Sequence, residues 1–302
     1  MSDSSPISLT YTEPPGFLPI YRRLLLGRRA RYTPGVALPN FRATWTGAKA
    51  NAAKVEAYCH ACGLEYDGHY PILYPHILTS AIHLDMMSKP QFPLSPMGAV
   101  HARNHILQHV PIPVDMSVDI SCELTATRVV KQGVEFEVTT LLESGGVRLW
   151  ESISAYLVRG KKFGDTVEPA PRAELPDVSE VATTETWPVP KNMGWRYAKI
   201  TGDYNVIHIS RLLARFMGFE RDLIHGMWSA ARCVGHTSTS VDTNPVQVDL
   251  IFKGPVYMES TSSMKAQPLE RGTLFELYCD ENPRPCIRGQ VEHVAPETRL
   301  VS

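Results

Sequence analysis

The chain has 302 residues, 43% hydrophobic and 20% charged, which is an ordinary globular composition with length for a sizeable core in about two domains. A formal net charge of -1 leaves no global field that would recommend nucleic acid or an anionic membrane as the main partner. There is no apolar run of about 18 residues and no basic-then-apolar leader, and the six cysteines are too scattered for a disulfide framework, so a cytoplasmic protein with reduced thiols is expected.

Taken in chain order, Arg22, Arg23, Arg28, Arg29 and Arg31 flank Leu24, Leu25 and Leu26 in a basic amphipathic run that predicts a docking helix with a solvated face. Cys59-His-Ala-Cys62 has redox spacing, but a single pair without a preceding strand is better read as two thiols packed in a helix. A mostly apolar stretch, Pro75–Ser88, predicts a buried central helix. His101, His105 and His109 recur every four residues and on one helical face could ligate a metal; no nearby cysteine or carboxylate completes the set, so no metal is expected. Strands follow at Val118–Thr127, Lys131–Val138 and Val147–Leu157. Residues 160–186 are proline-rich, with little periodicity, and read as a linker.

The second half repeats the pattern. A central helix is predicted at His225–Thr237, then strands at Ser260–Ala266, Glu270–Leu277 and Cys286–Val294. Lys131-Gln-Gly-Val-Glu-Phe-Glu-Val138 aligns with Glu270-Arg-Gly-Thr-Leu-Phe-Glu-Leu277, each a glycine turn leading into an alternating strand, and apolar-proline segments (Val110–Val114, Phe252–Val256) precede both hairpins. The fold class is therefore α+β, with an antiparallel sheet wrapped around a buried helix in each half. The expected units are 1–159, a linker at 160–186, and 187–302.

Chemistry concentrates at Tyr197-Ala-Lys-Ile-Thr-Gly-Asp-Tyr-Asn-Val-Ile-His208, where a carboxylate and an imidazole stand five positions apart in an apolar, turn-rich setting. One can serve as acid and the other as base toward a single small substrate. The stretch resembles the signature of the hydratase 2 group of MaoC-like hydratases: Gly202, Asp203, Asn205, Ile207 and His208 match, and Val206 stands where that family usually has proline.

The resemblance implies a double hot-dog fold and reversible hydration of a trans-2-enoyl thioester to the (3R)-hydroxyacyl thioester. Asp203 and His208 would be catalytic, with no cofactor. Conjugate addition places negative charge on the thioester oxygen, so a donor must face it. His225-Gly226 opens the second central helix where the family usually has His-Gly, which makes the Gly226 amide the candidate donor and His225 a structural residue. Asn205 would fix the loop or the water through its amide, and Asn205 and Gly202 complete the oxyanion and substrate-binding set with Gly226. The first half lacks the motif and is expected to be noncatalytic, leaving room for a bulky acyl chain. The expected partner is coenzyme A as thioester carrier, with acyl carrier protein as the alternative, and the expected assembly is a homodimer. A noncatalytic acyl-binding subunit is the competing function.

Overall fold

The computed structural model describes residues 6–300 apart from 97, 161–162, 164–166, 172–173 and 238–244. Met1–Ser5, read above for a leader, and Lys161–Lys162 of the expected linker lie outside the described residues. The first half runs β1 (Ile7–Tyr11), α1 (Phe17–Leu26), β2 (Phe41–Ala48), α2 (Ala52–Cys62), α3 (Tyr74–Ser88), β3 (Ala99–Gln108), β4 (Val118–Val130), β5 (Gly133–Ser144) and β6 (Val147–Arg159). The second runs β7 (Thr183–Pro188), α4 (Met193–Thr201), α5 (Val206–Ile209), α6 (Arg211–Phe216), α7 (Gly226–Gly235), β8 (Val246–Phe252), β9 (Thr261–Leu269), β10 (Gly272–Cys279) and β11 (Ile287–His293). β7 begins inside the stretch expected to be linker and pairs with β9.

Among the described residues eleven strands form one sheet in the order β1-β2-β4-β5-β6-β3-β8-β11-β10-β9-β7. Read outward from the centre, β3-β6-β5-β4-β2 and β8-β11-β10-β9-β7 have the same connectivity, so the repeat in sequence is a repeat in space. The halves join where Arg103 to Gln108 of β3 lie antiparallel to Ile251 to Val246 of β8. That pairing removes the open edge each half would otherwise present.

The aligned glycines show why the two hairpins share a sequence. A Cβ on Gly133 would sit 2.0 Å from the Val158 carbonyl oxygen, and one on Gly272 would sit 2.0 Å from that of Val291. Only glycine lets the neighbouring strand close there. Beyond the turn, Val134, Phe136 and Val138 of β5 face the core in the period-two pattern of a strand. Glu135 and Glu137 point to the other face, where Arg103 and Arg128 neutralise them at 2.5–2.7 Å.

Helix α3 is buried on twelve of its fifteen residues, as a helix enclosed by sheet must be. Two indoles tie the layers together: Trp150 donates to the Ile72 carbonyl at 2.9 Å, and Trp228 of α7 donates to the Ala61 carbonyl of α2 at 2.7 Å. Truncating either to alanine would remove about 3–5 kcal/mol. Cys59 and Cys62 lie buried in α2 as free thiols, and burial pushes the Cys59 thiol up to about 11.

Two expectations are corrected. His101 and His105 lie on strand β3, with His109 just beyond it, and not on a helix. An irregularity between His101 and Arg103 turns His101 into the core, while His105 pairs with Asp249 and His109 with Glu151, so the three do not converge on a metal. The arginine run also differs: Arg23 reaches Asp85 and Ser88 on α3, and Arg29 donates to the Met87 and Leu94 carbonyls, while Leu25 and Leu26 are exposed. The buried Asp85 also accepts from Tyr11 at 2.6 Å and pairs with Lys89, and one carboxylate thereby fastens the whole amino-terminal arm.

Candidate active site

Helix α4 ends at Gly202, whose φ of 80° is left-handed backbone suited to glycine, and the chain then reverses over Asp203. Asp203 Oδ1 accepts from the Asn205 amide at 3.1 Å, closing a local turn, and Asn205 Oδ1 accepts from the Ile207 amide to cap α5. The short helix carries His208 back toward Asp203. Its Nδ1–H donates to the Leu223 carbonyl at 2.8 Å, which leaves Nε2 with a free lone pair.

His225 closes the group. Its Nε2–H donates to the Asp203 carbonyl at 2.9 Å, its ring stacks on His208 with centroids 3.8 Å apart, and its Nδ1 is buried without a partner. The ligand atoms of Asp203, His208 and His225 lie within 4.8 Å of one another, close enough to hold a metal ion, although each imidazole already commits one nitrogen to a backbone carbonyl.

Electrostatics separate the three. Burial works to raise the Asp203 pKa, but the His225 and His208 imidazoles and the Asn205 amide outweigh it and hold the carboxyl below the usual range. Burial lowers His208 despite the neighbouring carboxylate, and lowers His225 to about 3. At neutral pH the site therefore holds an ionised Asp203 beside two neutral imidazoles.

Helix α7 starts at this point. The Gly226 amide has no acceptor among the described residues, and it carries the positive end of the helix dipole. A Cβ there would approach Phe252 to 2.9 Å. At the start of α3, by contrast, the Tyr74 amide already donates to the Pro71 carbonyl at 2.7 Å and Pro75 has no N–H.

Asp203, Asn205, His208, His225 and Gly226 line one cavity of about 280 Å³, whereas Gly202 is not in its lining and makes the turn before Asp203. Several lining residues carried no local signal. Phe17 arrives from α1 and packs so closely on Gly202 that a Cβ there would lie 1.9 Å from its ring. His76, His83, His101 and Tyr156 come from the first half. Gly194 gave none either: a Cβ on it would meet the His208 carbonyl oxygen at 1.9 Å, so its hydrogen is what lets α4 touch the Asp203–His208 loop.

Fold and loop together define a double hot-dog protein with an Asp–His pair at the start of its second central helix. Residues 171–280 match the family model of the MaoC-like domain. It is 28% identical over 231 residues to 3-hydroxyacyl-thioester dehydratase X of Mycobacterium tuberculosis, covering 75% of this chain and 80% of that protein. The crystal structure of HtdX from the same organism superimposes with a TM-score of 0.73 at 23% identity, over 84% of this chain and 100% of that one. A MaoC-like dehydratase from Phytophthora capsici gives 0.68 at 18% identity, over 86% and 98%. The structural likenesses establish the fold.

Proposed function

We propose that the protein is a hydro-lyase that reversibly hydrates trans-2-enoyl thioesters to (3R)-hydroxyacyl thioesters. The observation that carries this reading is the convergence on one cavity of an ionised Asp203, a His208 with a free Nε2 and an uncommitted Gly226 amide. The similarity to a 3-hydroxyacyl-thioester dehydratase supports the substrate class.

In the hydration direction Asp203 accepts one hydrogen bond from water and His208 Nε2 accepts the other. As the water oxygen bonds to the β-carbon, His208 takes its proton, and the Asp203 carboxylate stabilises the imidazolium that forms. Charge gathers on the thioester oxygen, which the Gly226 amide receives. The imidazolium then passes its proton to the α-carbon, so H and OH are added across the double bond and both groups return to their resting states. Dehydration is the same path reversed. Catalysis belongs to residues 187–302, and residues 1–159 supply the acyl wall. Exposed Arg159 and Lys253 border the cavity and suit the phosphate groups of coenzyme A, or the single phosphate of a carrier-protein arm.

Spectrophotometric hydration of a panel of enoyl-CoA thioesters tests the reading. Asp203→Asn and His208→Gln should fold and lose about 10²–10⁴-fold in rate. The product should give no NADH with an (S)-specific hydroxyacyl-CoA dehydrogenase, and acyl groups larger than crotonyl should be preferred. Wild-type rates in either variant would remove the site assignment, and an (S) product would remove the stereochemistry.

A further inference from the structure

The first half contributes a polar wall to the cavity that the reaction does not use. His76, in the first turn of α3, is 5% exposed and lines the cavity close enough to Asp203 to feel its charge. Its ring stacks on His101 at 4.9 Å, and His101 stacks in turn on Tyr156 at 5.1 Å. An alkyl chain has no need of such a surface. A binding site for hydrocarbon is lined by aliphatic and aromatic carbon, because each polar atom stripped of water without a replacement partner weakens binding.

The direction of the hydrogen bonds identifies what is missing. Ser154 Oγ lies 3.4 Å from Asn104 Oδ1 and 3.3 Å from His76 Nδ1; with the serine proton directed to Asn104, which has no proton on that oxygen to give, His76 Nδ1–H donates to the serine oxygen. His76 Nε2 is then a lone pair, and no residue donates to it among the described residues. The adjoining groups cannot turn to help. Thr140 donates to Cys122 Sγ and accepts from His83 Nε2–H at 2.8 Å, and His83 Nδ1 accepts the Tyr156 hydroxyl at 2.9 Å. His101 Nε2 is itself buried without a partner. Burial holds His76 down to about 4, so it is neutral and offers no charge to a carboxylate.

We propose that the acyl group this site takes carries a hydroxyl, received by His76 Nε2 on the wall that the first half contributes to the cavity. This rests on the dehydratase reading for the thioester and on the cavity geometry for the hydroxyl. Before binding, water can meet the lone pair; an alkyl carbon displaces that water without replacing its bond, whereas a hydroxyl restores it.

Saturated thioesters test the pocket apart from the reaction, since they have neither a 2,3-double bond nor a 3-hydroxyl. Calorimetric titration of the whole protein with hexanoyl-CoA, 5-hydroxyhexanoyl-CoA and 6-hydroxyhexanoyl-CoA should show one hydroxylated ligand binding about ten- to a hundred-fold tighter than hexanoyl-CoA. His76→Phe should erase that advantage, and His76→Gln should restore part of it. Equal or tighter binding of hexanoyl-CoA by the wild type, no binding of any of the three, or an advantage that survives His76→Phe would overturn the proposal. The wild-type comparison decides by itself if a variant does not fold. Absence of enoyl-CoA hydration together with the binding preference would sink the dehydratase reading alone, and hydration without the preference would sink this inference alone.

Discussion

Replacing Gly194 with alanine is a demanding test of the site, because local and tertiary physics disagree about its sign. In an isolated helix the change favours folding by about 1 kcal/mol. In this protein the new Cβ would stand 1.9 Å from the His208 carbonyl oxygen and 2.5 Å from the Met258 methyl. The methionine can swing away. The carbonyl cannot, because the His208 amide is bonded to the Asn205 carbonyl at 2.9 Å and its ring to the Leu223 carbonyl at 2.8 Å. Reaching even 3.0 Å requires the loop to retreat by about 1.1 Å, and a displacement of about 1 Å at a reacting group costs roughly 100-fold in rate. Overpacking should also lower stability by about 1–3 kcal/mol. The assay is kcat/KM for enoyl-CoA hydration at 25 °C beside a melting curve, with Met258→Ala added in a second variant. We expect about a 100-fold loss, a lower Tm and no rescue by Met258→Ala, since that change leaves the carbonyl contact in place. A Gly194→Ala protein that is more stable and within threefold of wild-type rate would refute the argument.

Val206→Pro should be accepted, raising stability by about 0.4–1 kcal/mol with little change in rate: Val206 is the first residue of α5, its amide has no acceptor among the described residues, and Asn205 already has the extended backbone (φ -56°, ψ 128°) that precedes proline. A drop in both Tm and activity would show that the loop follows another path. The rate of hydration should be level through neutral pH and fall as acid protonates His208; because burial depresses that pKa, the midpoint of the acid limb should lie below 6.5, and a midpoint at or above 7 would contradict the neutral imidazole. Treatment with EDTA should leave the rate unchanged, and a loss restored by a divalent metal would recast Asp203, His208 and His225 as ligands.

What could be read from the sequence was what is local. The Asp203–His208 loop is built by turn and cap bonds spanning two or three residues, so its geometry travels with its motif. The hairpins were legible because a glycine must stand where a neighbouring carbonyl passes, at both Gly133 and Gly272. The histidines of β3 were misread, since a spacing of four fits both a helix face and a strand face, and the irregularity that sends His101 inward has no residue signature. Phe17, His76 and Gly194 act through contacts with residues distant in sequence, and nothing in their own neighbourhoods announces them.

The start of α3 has a consequence for redesign. Its proline and its occupied Tyr74 amide remove two of the donors that a helix start can offer. Grafting Gly-Asp-x-Asn-x-x-His into that half would install an acid and a base beside a helix start with two fewer free donors. The same helix turn carries His76 and Ile77 on the cavity wall, so substitutions there should retune which acyl groups the proposed site admits while leaving Asp203, His208 and Gly226 in place.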